Sequence, residues 1–330
     1  MIFSHGQLDS DARINYYTKK IDHDPQLYPA YVQLASAYLD KAYDTHDPDC
    51  LKKARSALEC SMEIQPSFEA FKTMGAVCCF AHRFDEALQW EKRAAEAWPA
   101  DTRVTALMVE AYMGLGQYEA AKNLLPPDGT KPVDFHTAAA QGQWLALQHR
   151  YDEAVNALLA AAGFAQAQEV TDLVVWANVC AGGILLDSGQ PLKAQPLLEA
   201  TARLDPQNKF LRLHQAEFLE AEGQAEQALA AYEALVKEHD DPEIHRKAFV
   251  VARKLSLESH AQFHFEAAEK GYQRAIEAGE IYTLGALAHL YCEADVHLEQ
   301  ALTLAQRNLE HKRDTEAIEI LACIRRKLSN

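Results

Sequence analysis

Two histidines four residues apart, His260 and His264, come closest in this sequence to a metal-binding motif. On a helix this spacing places both imidazoles on one face, as in the HExxH pairs that bind zinc. Ala261 stands where that motif needs glutamate. We therefore interpret the two histidines as structural or surface residues and predict no metal site.

Four aspartates, Asp40, Asp44, Asp47 and Asp49, lie close together in the sequence and suggest a calcium loop. An EF-hand also needs a central glycine and a terminal bidentate glutamate, and this stretch has neither. A helix start explains the segment more simply, with Asp47 as the N-cap and Pro48 in the first helical position.

The remaining chemistry-bearing residues form no catalytic motif. Cys78 and Cys79 are adjacent and so do not form a CxxC pair, and the sequence contains no GxSxG, P-loop or GxGxxG pattern. We predict that the protein is not an enzyme and uses no cofactor. The seven cysteines follow no regular framework, which predicts reduced thiols and a cytoplasmic protein.

The N-terminal residues lack the basic and apolar regions of a signal peptide, although a periplasmic location would follow if a signal peptide had been removed. No apolar run approaches the ~20 residues that cross a bilayer. The formal net charge is −16. Nucleic acids and anionic membranes attract lysine and arginine, so the charge argues against both partners. It favours a protein or peptide partner with basic flanking residues.

A recurring element runs through the whole chain: an aromatic or apolar residue, then any two residues, then alanine. Phe84-Asp-Glu-Ala87 and Tyr151-Asp-Glu-Ala154 are clear copies. The alanines of the eight copies are Ala54, Ala87, Ala121, Ala154, Ala194, Ala228, Ala268 and Ala301. Their spacings are 33, 34, 33, 40, 34, 40 and 33 residues. Five of the seven lie on the ~34-residue period of a helix–turn–helix repeat, and each 40-residue spacing contains a short insertion.

These copies resemble the tetratricopeptide repeat family over nearly the whole chain. The resemblance implies an all-α, right-handed superhelical solenoid of antiparallel helix pairs, A and B. We expect about eight repeats, an N-terminal half repeat from Ala12 to Pro25, and a C-terminal capping helix from Asp314 to Leu328. Gly116, Gly189 and Gly223 fall at predicted A–B turns, where the backbone must be permissive.

The segment from Pro126 to Pro132 contains three prolines and a glycine and is the strongest helix breaker in the chain. It divides the sequence into an N-terminal repeat segment, 1–125, a break, 126–133, and a C-terminal repeat segment with the cap, 134–330. A hinge and a longer surface loop both fit this break.

The resemblance implies a partner-binding groove along the A helices. Its expected exposed positions are Val32, Ser36, Lys72, Ala76, Glu110, Gln143, Val179, Leu213 and Glu217. Repeat proteins that clamp a chaperone carboxylate place lysine and asparagine at set groove positions, and only Lys72 matches that pattern here. The groove therefore favours an apolar helix or an extended peptide.

The predicted function is a non-catalytic scaffold or adaptor that holds a protein or peptide partner in this groove. Two alternatives remain open. One is a regulatory sensor that binds a small peptide or metabolite and changes curvature at the Pro126–Pro132 break. The other is a structural protein that forms homo-oligomers through its solenoid ends or convex faces.

Overall fold

The protein is all-helical in the computed structural model, which describes residues 9–45, 47–281 and 283–329. Within these ranges there are eighteen α-helices and no strand. The helices are α1 (Ser10–His23), α2 (Tyr28–Thr45), α3 (Pro48–Ile64), α4 (Phe68–Phe80), α5 (Phe84–Ala97), α6 (Thr102–Gly114), α7 (Tyr118–Leu124), α8 (Phe135–Leu147), α9 (Tyr151–Ala167), α10 (Thr171–Asp187), α11 (Pro191–Ala202), α12 (Lys209–Ala221), α13 (Ala225–Glu238), α14 (Pro242–Lys254), α15 (Glu258–Glu277), α16 (Thr283–Ala294), α17 (Leu298–Asn308) and α18 (Thr315–Leu328).

Sixteen of these helices form eight consecutive A–B pairs, from α2–α3 to α16–α17. Helix α1 precedes the pairs as the predicted half repeat, and α18 packs against α17 after them. The predicted repeat count is confirmed for the described part of the chain. The first repeat has long helices, since α2 has 18 residues and α3 has 17.

Small residues at the predicted positions allow the helices to pack closely. All eight motif alanines are fully buried. Gly142 on α8 faces Leu158 on α9, and a Cβ added at Gly142 would lie 2.7 Å from Leu158 Cγ. Such close approach brings more atoms into van der Waals contact, and a larger side chain would force the pair apart.

Polar caps and left-handed turns separate the helices. Asp47 caps α3 by accepting a hydrogen bond from the backbone N–H of Asp49, with Pro48 in the first turn, as predicted. Gly116, Gly189 and Gly223 have φ values of 68°, 71° and 76°, which confirms their turn role. His82, with a φ of 54°, occupies the equivalent turn position of the second repeat without being glycine.

The helices belong to two compact units. Unit 1 comprises residues 1–124, 275–288 and 297–330, and unit 2 comprises residues 125–274 and 289–296. Unit 1 thus joins the first three repeats to the end of the chain. One core cluster of unit 1 includes buried residues from Val32 to Leu115, and one of unit 2 includes buried residues from Val175 to Leu211.

In unit 1 the segment before α18 lies against the A–B turn of the third repeat. The Arg313 backbone N–H donates to the Gly114 carbonyl oxygen at 2.7 Å, and the hydroxyls of Tyr118 and Thr315 are 3.2 Å apart. On α18, Ala317, Leu321 and Ile324 are buried, whereas Leu328 is exposed. The buried face of α18 therefore ends at Ile324.

Candidate binding surface

The nine predicted groove residues all lie on A helices, between α2 and α12. Six of them are buried, namely Val32, Ser36, Lys72, Ala76, Val179 and Leu213. The partly exposed ones are Glu110 on α6 in unit 1, and Gln143 on α8 and Glu217 on α12 in unit 2. The accessible part of the predicted set is therefore polar, with two carboxylates and one carboxamide.

Lys72 is bound within its own repeat. Its side chain is only 3% exposed, its ammonium group pairs with the Glu69 carboxylate, and Nζ lies 5.5 Å from the centre of the Phe68 ring. Burial lowers the pKa of Lys72, while the Glu69 pairing opposes that change. These contacts satisfy the ammonium group inside unit 1.

Glu217 is a carboxylate held rigidly on the α12 surface. Its oxygens lie 2.5 Å from His214 Nδ1 and 2.6 Å from Lys247 Nζ. Burial would raise the pKa of Glu217, but the hydrogen bond from His214 and the charge of Lys247 outweigh it and lower the pKa to about 2. Glu217 therefore presents a fixed negative charge at neutral pH.

Glu91, on the B helix α5, is a buried acid that the sequence analysis did not single out. The Cys79 thiol donates to Glu91 Oε1 at 3.3 Å, and burial raises the pKa of Glu91 to about 8. A Cβ added at Gly75 would lie 2.7 Å from Glu91 Cγ. The small residue predicted at Gly75 therefore makes room for this carboxyl group. The sequence could have indicated this buried acid, because Glu91 follows Ala87 by four residues and so lies on the same face of α5 as that motif alanine.

The adjacent cysteines are packing residues. Cys78 and Cys79 are both buried. Burial raises the pKa of Cys78 to about 12 and that of Cys79 well above its usual value. Since the thiolate is the reactive form, both thiols are poor nucleophiles at neutral pH.

Two buried histidines face each other inside the seventh repeat, in unit 2. His245 on α14 and His264 on α15 place their Nδ1 atoms 2.9 Å apart. The second nitrogen of each ring points to a carboxylate: His245 Nε2 lies 3.5 Å from Asp240, and His264 Nε2 lies 3.6 Å from Glu233. Glu233 also contacts His260 Nδ1 at 2.6 Å. Two facing Nδ1 atoms share a single proton, so the pair cannot hold both rings protonated in this geometry.

Acidification is expected to destabilise unit 2 through this pair. Burial lowers the pKa of both His245 and His264 below the usual value. The unfolded chain therefore takes up more protons below about pH 6.5, and the free energy of unfolding falls there by up to about 1.4 kcal/mol per histidine for each pH unit. Urea unfolding at about pH 7.5 and about pH 5.5 measures this loss.

The double variant His245→Gln/His264→Gln removes both titrating groups and should lose most of this pH dependence. The exposed His23→Gln variant is the matched control and should keep it. The same pH dependence in the double variant as in the wild type would contradict the assignment.

A family comparison bears on the repeats themselves. Residues 185–248, from the end of α10 into α14, match the family model for the tetratricopeptide repeat. This stretch of the chain contains tetratricopeptide repeat sequence. The matched stretch includes the motif alanines Ala194 and Ala228, which the sequence pattern had identified. Among curated proteins, none matches the chain in sequence.

Several solved structures are similar to this chain. PilF of Pseudomonas aeruginosa is 18% identical with a TM-score of 0.38, and the match covers 77% of this chain and 96% of PilF. A tetratricopeptide repeat protein from Parabacteroides merdae is 14% identical with a TM-score of 0.38, covering 88% of this chain and 98% of that one. The human IFIT1 dimer with PPP-AAAA is 13% identical with a TM-score of 0.46, covering 96% and 74%.

Metal-binding and membrane-spanning features are absent from the described residues. Across residues 9–45, 47–281 and 283–329, no three His, Cys, Asp or Glu side chains are arranged to hold a metal ion. In the same ranges, none of the helices combines the length and apolar character needed to cross a membrane.

Proposed function

We propose that this protein is a non-catalytic scaffold that binds a protein or peptide partner along the A helices of its tetratricopeptide repeats. The observation that carries the proposal is the series of eight helix pairs, each with a fully buried motif alanine. Stacked helix pairs create extended binding surfaces, which suit a long partner better than a small substrate.

The charge of the accessible groove positions indicates the kind of partner. Glu110 and Glu217 are acidic, and Glu217 is fixed as a carboxylate. With a net charge of −16, the chain attracts basic segments over distances of about 8 Å at physiological salt. We infer that the partner carries basic residues beside its binding segment. The free thiols of Cys50, Cys60, Cys78, Cys79 and Cys180 support a cytoplasmic location.

The test is site-specific photo-crosslinking in a lysate of the native host. With a benzophenone amino acid at Gln143, we expect crosslinks to one or a few proteins, identified by mass spectrometry. The same group at Gln195, exposed on the B helix α11, is the matched control and should capture far less. Equal capture from both positions, or none from Gln143, would contradict the groove proposal.

An added charge at one groove position gives a second readout of the same proposal. The variant Gln143→Lys places a positive charge at the groove position on α8 in unit 2 and should weaken binding of the crosslinked protein about five- to tenfold. Gln195→Lys adds the same charge at an exposed position on the B helix α11 of the same unit and should leave binding within about twofold. Isothermal titration calorimetry at fixed salt measures both, and equal losses would locate the interface elsewhere.

A further inference from the structure

Four aromatic side chains of the second repeat, in unit 1, form a strip on the helices α4 and α5. The aromatic strip consists of two ring pairs: Phe68 and Trp98, with ring centres 6.0 Å apart, and Phe71 and Trp90, with ring centres 6.1 Å apart. Phe68, Phe71 and Trp90 pack in one cluster. Trp98, at the end of α5, is 62% exposed. The strip therefore ends in an indole that is held against Phe68 and open to solvent.

The guanidinium group of Arg93 lies on this strip. Its central carbon is 4.2 Å from the centre of the Phe71 ring and 4.8 Å from that of Trp90. Arg93 is exposed, and its guanidinium donates to no carboxylate within residues 9–45, 47–281 and 283–329. The charges of the exposed neighbours Lys92 and Glu96 offset each other. Arg93 thus presents hydrogen-bond donors to solvent while two rings fix its position.

The other cations on the strip are already paired. Lys72 and Arg103 lie 5.5 Å and 5.7 Å from the centre of the Phe68 ring. The Lys72 ammonium group pairs with Glu69, and Arg103 donates to Asp101 at 2.5 Å. These two ion pairs carry no net charge, so Arg93 supplies the charge that a partner meets. Charges further away than about 8 Å are screened at physiological salt, so this local cation acts at the contact although the chain is acidic overall.

We propose that the aromatic strip binds an acidic peptide segment that carries an aromatic residue, with a carboxylate on Arg93 and the aromatic ring on Trp98. A guanidinium group matches a carboxylate with two parallel N–H donors, and a guanidinium already held by rings loses little freedom on binding. An exposed indole gains contact energy from a second aromatic ring. The inference rests on the proposed peptide-binding function and adds a contact on the B helix α5, outside the predicted groove positions.

The test is titration of the ¹⁵N-labelled full chain with the peptide acetyl-Asp-Phe-Asp-amide. Saturable shifts are expected at the Trp98 indole N–H and the Arg93 Nε–H, with an affinity of about 1 mM. The indoles of Trp144 and Trp176, buried in unit 2, should not shift. The neutral peptide acetyl-Asn-Phe-Asn-amide has the same size and should bind about three- to fivefold more weakly, as expected for one exposed ion pair.

Arg93→Gln should bind both peptides equally, because the carboxylate contact is gone. Arg307→Gln is the matched control: Arg307 is exposed on α17 and pairs with no carboxylate or ring in the part of the chain that the structure describes. This control should keep the preference for the acidic peptide. Trp98→Ala should weaken binding of both peptides about threefold, which corresponds to the loss of one aromatic pair.

Absence of saturable shifts, equal affinity of the wild type for the two peptides, or the same affinities in Arg93→Gln as in Arg307→Gln would overturn the proposal. Tighter binding of adenosine monophosphate than of the acidic peptide would also overturn it, since the strip would then recognise a nucleotide. If Trp98→Ala does not fold, Arg93→Gln decides. Failure here with crosslinking from Gln143 intact refutes the strip alone. Loss of crosslinking with intact strip shifts refutes the groove alone.

Discussion

Replacing Arg246 by methionine is expected to lower the free energy of unfolding of unit 2 by about 1.5–3 kcal/mol, because it removes a half-buried cation that is hydrogen-bonded to two carboxylates. Arg246 is 12% exposed and donates to Glu243 at 2.6 Å and to Glu293 at 2.7 Å. The Tyr272 hydroxyl donates to the same Glu243 carboxylate at 2.7 Å. Burial alone would raise the pKa of Glu243, but the attraction of Arg246 outweighs it and the pKa is lowered. The Glu243 side chain is 39% exposed, so without Arg246 water screens part of the charge that is left unpaired.

Urea unfolding followed by circular dichroism measures the loss, with Lys193→Met as the matched control. Lys193 pairs with Asp152 at 2.9 Å, but both side chains are exposed, so the expected loss is below about 1 kcal/mol. Similar losses in the two variants would show that the Arg246 network contributes no more than a surface pair.

The pH dependence of the Arg246→Met effect follows from the same pKa argument. In the wild type, the lowered pKa of Glu243 contributes stability at neutral pH that is lost as the pH falls through its folded pKa. In Arg246→Met, only the charge of Lys247 and the hydrogen bond from Tyr272 still oppose burial, so the pKa of Glu243 should be higher than in the wild type and acid should neutralise it more readily. The difference in stability between wild type and variant should therefore be largest near neutral pH and shrink toward about pH 4.

The repeat architecture was predictable because it depends on period and size. A helix pair of fixed length places one contact residue every ~34 positions, and only a small side chain fits there. Ala87 and Ala154 show this directly, since both are fully buried at the predicted positions. The sequence also predicts that helices stop in the segment from Pro126 to Pro132, because proline removes a backbone donor and fixes φ.

The surface details were harder to predict, because they depend on side chains that meet across helices. The motif register assigned Val32 and Leu213 to an exposed groove, yet both are buried. The repeat register predicts which face of a helix a residue occupies. It does not predict how much of that residue neighbouring side chains cover. His245 was not singled out, since its partner His264 is 19 residues away on another helix. Their Nδ1 contact depends on two rotamers that no spacing specifies.

The close approach of Arg313 to the third repeat also had no sequence signal. Gly116 was predicted as a permissive turn residue, and its φ of 68° agrees. A Cβ added there would lie 2.5 Å from the Arg313 carbonyl oxygen. The glycine therefore has two roles, left-handed backbone and contact surface, and only the first follows from its place in the repeat.

Replacing Gly116 by alanine separates these two roles. We expect Gly116→Ala to lower the free energy of unfolding of unit 1 by roughly 1.5–3.5 kcal/mol. About 1–2 kcal/mol of this comes from the left-handed backbone and about 0.5–1.5 kcal/mol from the strained or lost Arg313–Gly114 hydrogen bond. The chain offers a matched control in Gly189→Ala: its φ is 71°, but an added Cβ has no neighbour within 4 Å. Gly189→Ala should therefore lower the free energy of unfolding of unit 2 only by the contribution of the left-handed backbone, about 1–2 kcal/mol.

Hydrogen exchange at the Arg313 amide identifies the origin of the difference. In the wild type this N–H is bonded to the Gly114 carbonyl at 2.7 Å and should exchange slowly. In Gly116→Ala the clash with the Arg313 carbonyl displaces the segment, and we expect the amide to exchange at least tenfold faster. In Gly189→Ala it should be unchanged. If the Arg313 amide stayed protected in Gly116→Ala, the contact would tolerate a methyl group, and the stability loss would be conformational alone.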